Sequence, residues 1–120
     1  MFKTTLYVQV RADRFIVRKV GDGQTIDRMA SQPFSHPRTL LGNFTNAEFF
    51  LKTLVAEVKG CFLLKPDMLV HPLERVDGGL TQIEERAFEE LARGAGASKV
   101  KVWSGPVLSD AQVVEKLEDR

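Results

Sequence analysis

The feature that most restricts the fold is a change of hydrophobic period part-way along the chain. Over residues 3–11, Leu6, Val8 and Val10 alternate with Thr5, Tyr7, Gln9 and Arg11. Period two with β-branched residues predicts a half-buried strand. Phe15 to Val20 predicts a second strand, and Gly21-Asp22-Gly23 is a hairpin signal. Gln24 to Met29 is more polar and suits a third strand at an edge. From residue 44 onward the apolar spacing is helical, interrupted by short apolar runs.

Three S/T-x-x-E/Q segments mark helix starts. Thr45…Glu48 predicts a capping box, with Phe44 and Phe49 as its staple and Phe50, Leu51, Leu54, Val55 and Val58 as the inward stripe. Thr81…Glu84 predicts a second, with Ile83, Ala87, Phe88 and Leu91 inward and a stop at Gly94. Ser109…Gln112 predicts a third, with Leu108 and Val113 as staple and Val114 and Leu117 packing inward. Between them, Met68-Leu69-Val70 is continuously apolar, as in a central parallel strand. Lys99 to Trp103 places valines on one face and lysines on the other. Ala30 to Gly42 holds Pro33 and Pro37, so neither helix nor strand runs through it; it is expected to be the most mobile stretch.

The order is βββαβαβα. Short connections and right-handed crossovers lead to a five-stranded mixed sheet of order 3-2-1-4-5 with helices on both faces. The 120 residues fit one domain, 1–120. A net charge of +1 argues against a general nucleic-acid binder. Charge is uneven, however: residues 1–45 carry net +4 and residues 46–120 net −3. A lone cysteine, Cys61, excludes an internal disulfide framework and a four-cysteine zinc site. Its apolar neighbours mark it as a core residue. Met1-Phe2-Lys3 opens no signal-peptide core, and no apolar run approaches the ~20 residues of a membrane span. A cytoplasmic protein is expected.

The second half resembles a known family. Gly79-Leu-Thr-Gln-Ile-Glu-Glu-Arg-Ala87, then Gly94-Ala-Gly-Ala-Ser-Lys-Val100, then Gly105-Pro106, resembles a run in the first subdomain of the rod shape-determining actin homologues, the MreB family. Asn43-Phe44 resembles the segment that opens that family's preceding helix. The likeness covers about residues 40–107. It implies one actin-type subdomain with the ribonuclease H-like arrangement that the strand order also suggests. It further implies an ATPase ancestry and a link to cell shape or the cytoskeleton.

The family's functional residues do not carry over. Its Asp-Leu-Gly-Thr phosphate turn falls on Gln9-Val10-Arg11-Ala12. The aspartate becomes an amide, and the glycine that lets backbone approach phosphate becomes an arginine. The paired glutamates before the proline fall on Ser104 and Gly105. The second phosphate loop and the adenosine pocket belong to a half this chain does not encode. No catalytic residue, cofactor or metal is expected.

Other chemistry finds little support. A two-metal nuclease needs a carboxylate on the first strand, where this chain has Gln9; Glu48, Glu57 and Asp67 are only neighbours. His36 and His71 lack the partners of a metal site. Ligands of open α/β sheets bind at the carboxyl ends of strands, and there Arg11, His71 and Arg75 could line a crevice for a small anion or nucleotide. Arg11, Arg14, Arg18, Lys19 and Arg28 make the first three strands basic, which suits either a charged edge or phosphate contact. Trp103, Pro106 and Val107 lie where the family's nucleotide and second half would meet this subdomain, and form a candidate protein interface. The expected role is non-enzymatic protein binding, as a homodimer or on another chain. Nucleic acid is not an expected partner.

Overall fold

The computed structural model describes residues 4–21, 23–36, 39–59, 65–74 and 78–118. The elements, in order, are β1 (Thr5–Arg11), β2 (Arg14–Lys19), β3 (Thr25–Met29), α1 (Phe44–Lys59), β4 (Asp67–Pro72), α2 (Gln82–Gly94), β5 (Val100–Val102) and α3 (Asp110–Glu118). They form one sheet of order β3-β2-β1-β4-β5. The β1–β2 and β2–β3 pairs are antiparallel, while β4 runs parallel to both β1 and β5. The architecture is the mixed α/β one expected, and it is consistent with an actin or ribonuclease H-like fold. The start of the first strand at Lys3 and the residue Cys61 lie outside the described residues.

Alternation along β1 divides the core in two. Leu6, Val8 and Val10 face α1 and α2, where they pack with Phe15, Val17, Leu51, Leu54, Met68, Val70, Phe88 and Leu91. Tyr7 faces the other way and packs with Leu69, Leu108, Val113 and Leu117 beneath α3. Because β4 is covered on both faces, its run Met68 to His71 is buried throughout.

The second and third helix starts are as read. Thr81 and Glu84 cap each other's amides at 3.1 and 2.9 Å, and Ser109 and Gln112 do the same at 3.3 and 2.9 Å. The first differs. Helix α1 begins at Phe44, and Asn43 is its cap: its Oδ1 accepts Asn46 N–H at 3.0 Å and its carbonyl accepts Ala47 N–H at 3.1 Å. Asn43 is itself held by its N–H on Phe34 O at 2.7 Å, so the cap lies two residues before Thr45. Phe49 is therefore no staple and stands 73% exposed. Glu48 does not cap either. Its side chain lies over Gly94 at the end of α2, in the space a Cβ there would fill, so a larger residue there would displace the flexible Glu48 side chain.

Ile83 was expected inward and is 82% exposed. The buried stripe of α2 is Phe88, Leu91, Ala92 and then Ala95. Ile83 precedes Phe88 by five residues, about 140° around the helix from it. The stretch from Ala30 to Gly42, expected to be mobile, is fastened among its described residues. Asp13 Oδ1 accepts the N–H groups of Phe34 and Ser35 at 2.8 and 2.7 Å, and Ser35 Oγ donates to Leu40 O at 2.7 Å. Phe34 thereby enters the core, stacked on Phe15 at 4.9 Å between ring centroids.

Candidate functional site: the carboxyl ends of the central strands

Strands β1 and β4 run parallel, so their carboxyl ends open on the same side, the usual place for a ligand crevice. There an internal acid fills the space. Glu74, just past β4, places Oε2 3.4 Å from Arg11 Nη1 and 3.3 Å from Ala12 N, whose N–H it accepts. The one carboxylate of the β1–β2 turn, Asp13, is committed to the amides of Phe34 and Ser35.

His71, opposite Gln9 in register, makes its contacts with Tyr7 and Gly105. It is buried, with both ring nitrogens engaged: Nδ1 lies 2.7 Å from Tyr7 Oη and Nε2 lies 2.9 Å from Gly105 O. A carbonyl can only accept, so Nε2 carries the hydrogen. Nδ1 of the neutral ring is then an acceptor, and Tyr7 donates to it. Tyr7 Oη in turn accepts Leu108 N–H at 3.1 Å. Burial pushes the imidazole below its ordinary pKa, against the Gly105 bond, which raises it. Arg11 and His71, expected together in one crevice, thus serve different partners. Arg75, the third of that set, lies outside the described residues.

Beyond β5 the chain crosses this end of the sheet as a loop fastened by side chains. His71 holds Gly105, Trp103 Nε1 donates to Pro106 O at 2.9 Å, Tyr7 holds Leu108 N, and Arg18 Nη2 reaches Leu108 O at 3.4 Å. Gly105 has φ 152°, and a Cβ there would sit 2.8 Å from Trp103 Cζ2. The candidate interface residues divide. Trp103 is half-buried under α3 with Lys116 Nζ 4.4 Å from its ring centroid, whereas Pro106 is exposed and Val107 is 63% exposed.

The arginines of the meander are each paired with an acid. Arg11 meets Glu74, Arg14 meets Asp27 at 2.6 Å, Arg18 meets Asp110 at 2.7 Å, and Arg28 meets Glu57 at 2.7 Å. Glu57 is thus engaged, and Asp67 accepts Lys99 N–H at 3.2 Å. Among the described residues, no group of three His, Cys, Asp or Glu side chains could hold a metal ion, and no helix is long and apolar enough to cross a membrane.

Sequence reasoning missed Glu74 and Tyr7. Tyr7 carried a signal, being the one aromatic on the supposedly polar face of β1. Glu74 stands only a few positions beyond the central apolar run, at the end where β1 also finishes. An apolar groove between β3 and α1, lined by Met29, Phe49, Phe50 and Thr53 among others, was also missed because Phe49 was assigned to the staple.

No family model matches this sequence. Among solved structures, the fold is similar to the crystal structure of MreB 5 of Spiroplasma citri bound to AMPPNP, with a TM-score of 0.61 and 12% identity. That likeness covers 87% of this chain but 39% of the other, so the present chain spans about two-fifths of it. At this identity the actin-like fold is what the two share. Among curated proteins, the uncharacterised protein YjaA of Escherichia coli (strain K12) is 32% identical over 128 aligned positions. With 98% of this chain and 99% of that protein covered, the chain belongs to the YjaA family.

Proposed function

We propose that this protein is a non-enzymatic, single-subdomain actin-like protein that works by binding protein and neither holds nor hydrolyses ATP. The observation that carries the reading is the Glu74 carboxylate on Ala12 N and Arg11. If the fold likeness to MreB extends to the phosphate turn after β1, an internal anion stands where a phosphate oxygen would need those donors. Gln9 in place of an aspartate on that strand supports the same conclusion. The pairing of Arg11, Arg14, Arg18 and Arg28 with acids leaves the basic strands little charge for a nucleic-acid backbone.

The binding surface assigned to a protein partner is Pro106 and Val107, raised on the fastened loop with Trp103 beneath. The partner is a second copy or another chain, and the actin-like fold directs the search toward cell-shape and cytoskeletal proteins.

Calorimetry with ATP and magnesium tests the first half of this reading. No heat of binding is expected, and a Kd tighter than about 0.1 mM would overturn it. Light scattering of the protein and of Val107→Asp tests the second half for self-association. A wild-type dimer that the variant loses supports the surface; a wild-type monomer assigns it to another chain.

A further inference from the structure

Between β4 and the loop after β5 lies the one fully buried histidine of the described residues, and it holds that loop through Gly105 O. The neutral ring is satisfied on both sides, with Tyr7 donating to Nδ1 and Nε2 donating to Gly105 O. Adding a proton at Nδ1 removes the acceptor for the Tyr7 hydroxyl hydrogen. Tyr7 oxygen already accepts from Leu108 N. It could accept from the new Nδ1–H as well, but its own hydrogen would then be buried without an acceptor, which is costly.

Among the described residues the new charge finds little beyond the Gly105 carbonyl, which favours the protonated ring, to offset its burial. From β1 the ring meets Tyr7, at 5.9 Å between centroids, with Gln9 opposite in register. From β2, Arg18 lies 5.4 Å from the Tyr7 ring centroid. From β5, Lys101 and Trp103 share this face, and α3 adds Lys116 and Asp110. Asp110 is taken by Arg18 and Glu74 by Arg11. The other acids of α3, Glu115 and Glu118, are exposed. Burial outweighs the Gly105 bond, so the proton is taken more readily by a ring that has reached water.

We propose that His71 is a proton-operated latch: neutral, it ties Gly105 to the sheet; protonated, it lets the Trp103–Leu108 loop lift while the rest of the sheet stays folded. The proton comes from solvent, and the opened loop gives it access. The latch operates whether or not that loop docks a partner.

Hydrogen exchange on the intact chain tests this. After correction for intrinsic pH dependence, exchange at Leu108 N–H rises about tenfold for each pH unit below the ordinary imidazole range, the slope of a one-proton linkage. Val8 N–H, in the central strand, opens only with the whole fold and exchanges far more slowly than Leu108 N–H across the range. Emission of Trp103, the single tryptophan, shifts to longer wavelength over the same range. The slope survives in His36→Gln, which removes the other histidine, and vanishes in His71→Gln. A flat Leu108 profile, a Leu108 amide that exchanges no faster than Val8, or a slope lost in His36→Gln would each overturn the latch.

Discussion

Tyr7 and Leu108 stand 101 residues apart in sequence, yet the Tyr7 hydroxyl oxygen accepts the Leu108 N–H at 3.1 Å inside the protein. Through the same oxygen Tyr7 donates to His71. Tyr7→Phe keeps the ring's packing against Leu69 and Leu117 and deletes only the hydroxyl. It leaves a buried N–H and a buried ring nitrogen without partners, so a loss of about 1–3 kcal/mol in urea denaturation is expected. A loss of a few tenths would mean that water replaces the hydroxyl.

Acid should weaken the fold in two stages. Burial holds the His71 imidazole below its ordinary value. The unfolded chain therefore takes a proton below about pH 6.5 that the native state refuses, and stability falls as pH drops through that value. At lower pH, Asp27 and Glu57 follow. Their hydrogen bonds to Arg14 and Arg28 hold both carboxyls below the usual range, so their contribution is present at neutral pH and lost as pH falls through the native values. Both are exposed, so this second stage is small. Urea midpoints between about pH 7.5 and 5 should decline in the wild type and stay level in His71→Gln.

Asn43, not Thr45, caps α1. Asn43→Ala should cost about 0.5–2 kcal/mol, because the Asn46 N–H then loses its acceptor. Thr45→Ala, one residue inside the helix and exposed, should be neutral or slightly stabilising by propensity. Equal losses for the two in chemical denaturation would contradict the assignment.

The phase of α2 makes a paired prediction. Ile83→Ser, at an 82% exposed position, should change stability by no more than about 0.5 kcal/mol. Phe88→Ala, in the core against the sheet, should cost about 3–5 kcal/mol. Comparable losses from thermal or urea unfolding would mean that Ile83 is covered by something in solution.

What could be read in advance depended on how local its cause was. The alternation of Leu6, Val8 and Val10 and the continuous burial of Met68 to Val70 are imposed by strand geometry. They led to the sheet order without any knowledge of contacts. The caps at Thr81 and Ser109 are likewise four-residue effects. At Thr45 the same motif misled, because a competing cap, Asn43, is fixed by Phe34, which only the tertiary fold brings near. Ile83 failed because a helix's buried arc is set by the neighbour it packs on, and the sequence before Phe88 does not say where that arc ends. At the candidate site, the placing of Gln9 and Arg11 near the end of β1 was legible. Glu74 and the His71 network were not, since each joins residues more than thirty positions apart.

Glu74 offers the sharpest test of how the strand-end crevice was closed. Its carboxylate accepts Ala12 N–H and pairs with Arg11, and both partners are part-exposed. An ion pair in that setting contributes only about 0–1 kcal/mol, so Glu74→Ala should fold with little loss. The change frees one backbone N–H and one guanidinium at a position open to solvent, the donors a small anion seeks. Inorganic phosphate should then raise the melting temperature of Glu74→Ala more than that of the wild type, with the difference fading as sodium chloride is added. Adding Arg11→Ala should remove the gain. If phosphate stabilises the wild type and the variant alike, Glu74 is a surface ion pair that blocks nothing, and the reading of the crevice as filled from within fails.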